Sequence, residues 1–471
     1  MDEIPSFVHW SVAGAALLAA FLVSVHALAS RRDPRSAVGW IALAWLSPIV
    51  GAFLYLVFGI NRVRRRALGL RAAFLRDERA RHRGLEPDAL GELAPLARAV
   101  GTLSPRPLAA GNEVTALANG DEGYPAMLAA IRGARRFVVM QSYIFEGIGP
   151  GARFVDALAD AVARGVEVRV LVDAAGERYG KPRITRLLTR RNVPVRRFLP
   201  AFPPWRWPYV NLRNHRKILV VDGEVAFSGG LNIRPGHVLT DEPSSPTRDF
   251  HFRFRGPVVE QLFEAFVDDW RFATGEVLEG PRWAMPPVEA EPAGDACCRV
   301  VTDGPDDDLD KAWLAMFAGL AQAKERVVLL TPYFVPDPPL IAALEMTARR
   351  GVRVDVVLPG RSNLRFVDWA MQHLLDRGLH GVHVWRTSAP FDHSKLLIVD
   401  GVWSLVGSAN WDPRSLRLNF EVLVEVYDGE LAGALLRVAD SRIAMASPHV
   451  KETRWLPRYR NAAVFLAQPL L

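Results

Sequence analysis

His215 and Lys217 are followed by Asp222, five residues after the lysine, and by Asn232 at the end of Gly229-Gly230-Leu231-Asn232. The same spacing returns at His393, Lys395, Asp400 and Gly407-Ser408-Ala409-Asn410. Each set supplies an imidazole that attacks or protonates, together with an ammonium and an amide that bind anionic oxygen. Two such sets equip a chain to move a phosphoryl group through a covalent phosphohistidine, with the histidines dividing the work. A single His-x-Lys is common and a lone Asp-Gly is only a turn. Repetition of the whole pattern at equal spacing makes it a site.

The elements that position these residues are legible around them. Within the first set side chains alternate as on a strand, so His215, Lys217, Leu219 and Val221 share one face while Ile218 and Val220 take the other. Asp222-Gly223 and Asp400-Gly401 read as turns into a following strand. Glycines at 229, 230 and 407 allow close backbone approach ahead of each asparagine. Upstream, Phe137-Val138-Val139-Met140-Gln141-Ser142-Tyr143 matches Val327-Val328-Leu329-Leu330-Thr331-Pro332-Tyr333, and the apolar strand at 163–170 matches that at 349–356. Helical stretches lie between the matched strands, at 153–163 and 340–350. Strand, helix, strand, twice over, predicts a duplicated α/β fold with a mixed sheet covered by helices on both faces. The Pro-rich stretch 280–292 is the seam.

Ahead of this body lie two apolar segments, at 7–29 and 37–60, each long enough to cross a bilayer. Asp2 and Glu3 precede the first, which is the wrong flank for a cleaved signal peptide. The expectation is a two-segment membrane anchor over 1–60, with Pro48 able to kink the second segment or turn it into a re-entrant hairpin. A basic connector (61–110), a first domain (111–285) and a second (286–471) follow. Arg31, Arg32 and Arg35 lie between the segments, against nine arginines at 62–83. The larger cluster places the body in the cytoplasm, against the inner face of a cell membrane. The net charge of +7 favours anionic partners, nucleic acid or an acidic lipid surface. The adjacent Cys297 and Cys298 read as buried thiols in a reducing compartment.

His-x-Lys, four residues, Asp, six residues, Gly-Ser-x-Asn resembles the signature of the phospholipase D superfamily. The resemblance runs from about residue 111 to the C-terminus. More narrowly, the chain is similar to bacterial cardiolipin synthases. The similarity rests on the paired apolar segments, Asn214-His215-Arg216-Lys217, the run Ser408-Ala409-Asn410-Trp411-Asp412-Pro413-Arg414-Ser415-Leu416-Arg417-Leu418-Asn419-Phe420-Glu421, and the Pro-Leu-Leu ending. Gly230 departs from the pattern, which has serine there; the two halves are therefore not expected to be electrostatically equivalent.

The resemblance implies two tandem phospholipase D-like domains and transfer of a phosphatidyl group between two phosphatidylglycerols, with release of glycerol. It assigns His215 as nucleophile and His393 as acid and base. Lys217, Asn232, Lys395 and Asn410 would bind phosphate. Asp222 and Asp400 belong to the motif but read as turn-holders. It further implies a carboxylate orienting each histidine: Asp249 for His215 and Glu421 for His393, each within its own half, with the extra loop at 236–247 explaining their unequal spacing. Four protein donors leave no need for a metal or cofactor. Rivals are a hydrolase, a phosphatidyltransferase with another acceptor, and a membrane-anchored nuclease. The anchor, and the aromatic loop at 202–209 suited to headgroups, favour lipid over nucleic acid. The acceptor and the oligomeric state stay open.

Overall fold

The computed structural model describes residues 6–30, 34–59, 84–200, 212–286, 291–305 and 308–466. The chain divides into two compact units, one holding the N-terminal helices and the other the described residues from 84 onward.

In the first unit the leading apolar segment forms one helix, Ser6–Ser30, of which Trp10–Ala29 is long and apolar enough to cross a membrane. The second segment does not form one continuous helix long enough to span, in keeping with the kink expected at Pro48. It breaks into Pro34–Leu46 and Pro48–Leu54, followed by a π-helical turn at Tyr55–Gly59. Pro48 has no N–H and its ring crowds the preceding turn, so the helix restarts there. Ala20, Val23 and Ala27 pack against Ala44, Ala52 and Tyr55, and the alanines let the helices approach closely. Trp10, Leu17, Leu18, Phe21 and Leu22 face outward. The arginines at 62–83 and the aromatic loop at 202–209 lie outside the described residues.

The second unit is built on the duplication. The first half carries β1 (Ala109–Ala118), β2 (Phe137–Ser142), β3 (Glu167–Asp173), β4 (Val195–Phe198), β5 (Arg213–Asn214), β6 (Ile218–Val221), β7 (Val225–Gly229), β8 (Thr247–Arg248) and β9 (Phe250–Arg255). The second repeats the plan with β10 (Ala296–Asp303), β11 (Arg326–Leu330), β12 (Arg353–Pro359), β13 (Val382–Thr387), β14 (Phe391–Asp392), β15 (Leu396–Val399), β16 (Trp403–Gly407) and β17 (Asn419–Tyr427). The order β13-β12-β11-β15-β16-β17-β10 meets its counterpart β1-β9-β7-β6-β2-β3-β4 at the antiparallel β1–β10 seam, making one mixed sheet. Alternation buries both faces. Val138 and Met140 of β2 join Leu128, Ile131, Phe154 and Leu158 from the helices Asn119–Gly133 and Pro150–Ala163. Phe137, on the other face of β2, meets Phe263 of the helix Val258–Thr274 with ring centroids 5.2 Å apart.

Two details differ from the sequence reading. The connector is not free as far as residue 110: Leu96, Ala97, Val100 and Leu108 enter the core of the second half. Cys298 is buried, but Cys297 is only partly so.

The two Asp-Gly turns are alike to the atom. Asp222 and Asp400 have φ of 55° and 53°, and Gly223 and Gly401 follow at 71° and 66°. Positive φ at both central residues is the turn that matches strand twist. The Asp222 carboxylate accepts from the backbone N–H groups of Arg135, Arg136 and Phe137, each at 2.8 Å. Asp400 takes those of Lys324, Glu325 and Arg326, also at 2.8 Å. Part of the motif with the catalytic candidates and read from Asp-Gly as turn-holders, the aspartates fasten the entry of β2 and β11, at the far end of β6 and β15 from the histidines. Asp222→Ala or Asp400→Ala should therefore cost about 2 kcal/mol or more through unpaired donors. A lowered thermal midpoint with turnover retained by the folded fraction is the expected result; lost turnover at an unchanged midpoint would place them in the chemistry.

Candidate active site

Each histidine follows a two-residue strand that pairs with the opposite half. β5 runs parallel to the start of β17, with Asn214 beside Phe420, and the His215 N–H donates to the Phe420 carbonyl at 2.9 Å. β14 runs parallel to β8, with Asp392 beside Arg248, and the His393 N–H donates to the Arg248 carbonyl at 2.8 Å. The next residue along each partner strand is an acid. His215 Nδ1 lies 3.0 Å from Glu421 Oε2, and His393 Nδ1 lies 2.7 Å from Asp249 Oδ2. The sequence reading identifies both carboxylates but pairs them within halves; the structure exchanges them. The exchange follows from the short parallel pairings, which carry each histidine across the midline.

Engaging Nδ1 leaves Nε2 of each ring for chemistry. Burial lowers the pKa of His215, opposed by Glu421 and reinforced by Lys217. His393 is pushed well below the ordinary value by burial and then by Lys395, Lys217 and His215. Both imidazoles thus rest neutral. Glu421 is kept below the usual carboxylate range although burial works to raise it, because His215, Lys217 and the Ser408 hydroxyl favour its anion.

The lysines are equally buried. Burial brings Lys217 down to about 7, partly offset by Glu421, and burial also lowers Lys395. Each ammonium bonds within its own His-x-Lys. Lys217 Nζ donates to the His215 carbonyl at 2.6 Å. Lys395 Nζ donates to the His393 carbonyl and lies 2.8 Å from Nδ1 and 3.3 Å from Nε2 of that ring. Nδ1–H cannot donate to Asp249 and also accept from Lys395; the charge-assisted bond to the carboxylate takes precedence. Asn232 accepts from the Ile144 N–H at 3.1 Å through Oδ1, leaving its amide donors for other partners. Asn410 Oδ1 is buried with no hydrogen-bond partner among the described residues, while Nδ2 faces Ser415 Oγ at 3.2 Å. Exchanging amide O and N would let the oxygen accept from the Ser415 hydroxyl and turn the N–H₂ to the position without a protein partner.

The departure at Gly230 has a geometric reason. Ser408 Oγ donates to Glu421 Oε2 at 2.5 Å. At the equivalent position a Cβ on Gly230 would lie 2.1 Å from Asp249 Oδ1. The first half pairs glycine with the shorter acid, the second pairs serine with the longer one. Asp249 Oδ1 instead accepts from the Phe250 N–H at 2.8 Å, and Oδ2 is left to His393.

Further residues join the site that sequence reasoning did not single out for it. Tyr143 sets its ring edge-on to His215 with centroids 5.0 Å apart, and Tyr333 does the same to His393 at 6.1 Å. Their equivalent places in the repeat, at the end of the Gln-Ser-Tyr and Thr-Pro-Tyr runs, were the signal. Arg216, the middle residue of the first His-x-Lys, is a buried clamp. It donates to the Glu421 carbonyl at 2.9 Å, to Asp269 at 2.9 Å and to the Asp303 carbonyl at 3.2 Å. His237, in the extra loop, sits with its ring 6.4 Å from that of His393, and burial drives it down to about 3.

Two histidines, two lysines and two asparagines from a duplicated α/β sheet define a phospholipase D-like phosphotransfer site. The family model for the cardiolipin synthase, phospholipase D-like domain matches residues 127–242 and 316–443. That for the phospholipase D-nuclease N-terminal region matches 16–59. Cardiolipin synthase A of Pseudomonas aeruginosa is 34% identical over 447 residues, covering 92% of this chain and 89% of the relative. The cardiolipin synthase of Geobacillus kaustophilus is 31% identical, covering 88% and 84%. Phosphatidylserine synthase of Haemophilus influenzae shares the fold, with a TM-score of 0.60 at 15% identity, covering 80% of this chain and 100% of that one. The chain belongs to the cardiolipin synthase family of phospholipase D-like proteins.

The exchanged pairing can be read kinetically. With an activated phosphodiester whose leaving group needs no proton, Glu421→Gln should slow phosphorylation of His215 by about 10²-fold or more. Asp249→Asn should leave that half-reaction within a few-fold. The reverse pattern would return each acid to its own half.

The lowered Lys217 also predicts a pH dependence. A phosphodiester monoanion such as diethyl phosphate holds a proton on Lys217, so its binding takes up a proton once the free site has lost one. Affinity should be full below about pH 7 and then fall towards tenfold per pH unit above it. A calorimetric affinity flat from pH 6 to 9 would contradict this.

Proposed function

We propose that the chain synthesises cardiolipin from two phosphatidylglycerols through a phosphatidyl–histidine on His215. In the first step His393 takes up a proton at Nε2 as the anionic substrate binds, His215 Nε2 attacks phosphorus, the bond from phosphorus to the departing glycerol oxygen breaks, and the Nε2 proton of the His393 imidazolium passes to that oxygen. In the second, His393 takes the proton of the incoming glycerol hydroxyl, whose oxygen displaces His215 from phosphorus. Protonated Lys217 and Lys395, with Asn232 and Asn410, hold the non-bridging oxygens and the charge that develops on them. Asp222 and Asp400 have no part in these steps.

The asymmetry of the two acids carries the division of labour. Asp249 Oδ2 serves His393, so it best supports the ring that becomes imidazolium while it carries a proton. Glu421 Oε2 is shared between His215 and Ser408, which tempers the basicity of His215 and makes it a better leaving group in the second step. Arriving phosphodiester charge draws Lys395 off the His393 ring and raises the affinity of that imidazole for a proton. The relatives named cardiolipin synthase over most of the chain support lipid over nucleic acid as substrate. The nine arginines at 62–83 favour a body on the cytoplasmic side of the membrane.

Full-length protein given labelled phosphatidylglycerol in EDTA should yield cardiolipin and glycerol. Phosphatidic acid as the main product would make it a hydrolase. His215→Ala and His393→Ala should both abolish synthesis. Only His393→Ala should still trap an acid-labile, base-stable adduct from an activated substrate, mapped by mass to His215. An adduct on His393 in the His215→Ala protein would reverse the roles.

A further inference from the structure

The C-terminal helix Trp455–Leu466 is amphipathic in an unusual sense. Its inward stripe is Asn461, which is buried, with Val464 and Phe465 packed on the core of the second half. Phe465 also lies against His373, with ring centroids 5.0 Å apart. Its outward stripe is not polar. Trp455, Tyr459 and Leu466, at i, i+4 and i+11, are 67%, 73% and 83% exposed, and Leu456 beside them is exposed too. Arg458 and Arg460 flank this stripe on either side and Lys451 precedes it, while Arg454, also ahead of it, is paired with Glu452 at 2.7 Å. Arg460 lies 4.1 Å over the ring of Trp369, whose edge-on neighbour Phe366 is itself exposed.

A soluble surface does not usually offer two aromatics and two leucines on one helical stripe. Trp and Tyr edged by arginine is the composition of a helix that seats in the headgroup region of an anionic bilayer, its rings at the boundary and its guanidinium groups on phosphate. Two copies related by a two-fold axis would bring the arginines of one face towards those of the other, so the charge favours a lipid surface over a second copy. We infer that the outward face of Trp455–Leu466 is a membrane-docking surface through which the catalytic body holds itself on anionic lipid, in addition to the N-terminal helices.

Lipid as the substrate gives such a surface its purpose, so in that respect the inference rests on the proposed function, but its test does not require turnover. The full chain would be placed in nanodiscs of phosphatidylglycerol and phosphatidylcholine containing a photoreactive phospholipid, and adducts mapped by mass. Adducts are expected within 455–466, several-fold more than in phosphatidylcholine alone. Trp455→Ser/Leu456→Ser/Tyr459→Ser should abolish them at an unchanged thermal midpoint. In vesicle assays it should raise the interfacial KM at least fivefold while leaving kcat, and turnover of a water-soluble short-chain phosphatidylglycerol, as in the parent. Absence of adducts in this helix overturns the inference. So does cross-linking of the helix to a second copy in place of lipid. If adducts form but no cardiolipin is made, the docking surface stands and the proposed function falls.

Discussion

Everything in the catalytic unit depends on placing two imidazoles and two ammonium groups in one buried site without leaving their charge uncompensated. Each imidazole needs an anion at Nδ1, and a buried anion needs several donors of its own. The fold meets this by crossing strands at the midline. β5 beside β17 and β14 beside β8 bring each histidine to the acid of the other half. Neither His215 nor His393 takes its carboxylate from its own half. The duplication is therefore a functional unit, and Arg216, which bonds the backbone of Glu421 from the opposite half, helps to lock it.

The halves share a plan but differ in chemistry. Gly230 makes room for the shorter Asp249, and Ser408 spends its hydroxyl on the longer Glu421. One carboxylate oxygen is thus reserved for a histidine and the other is shared. The same strand frame thus gives the two imidazoles unequal surroundings, which is what the proposed division of labour rests on.

Much of this was legible in the residues. Spacing alone marked His215, Lys217, His393 and Lys395, and alternation along β6 and β15 followed from the runs of branched residues. The turn role of Asp222 and Asp400 was visible in Asp-Gly, because a positive φ at both positions selects those residues. Pairing was not legible. Asp249 and Glu421 lie 34 and 28 residues after the histidine of their own half, and local distance pointed to partners within each half. A strand of two residues carries no periodicity by which its neighbour across the sheet could be read. The break at Pro48 was foreseeable as a kink, but not as the end of one helix and the start of another. Tyr143 and Tyr333 were recognised as repeat positions, and only the sheet shows their rings against the histidines.

The central claim is that each histidine is coupled to the acid of the opposite half. Double-mutant cycles on thermal stability test it directly, with alanine at the histidines and amides at the acids. His215 with Glu421 and His393 with Asp249 should couple by about 1 kcal/mol or more. His215 with Asp249 and His393 with Glu421 should be additive to within about 0.5 kcal/mol. Strong coupling in the second combination and additivity in the first would contradict the account.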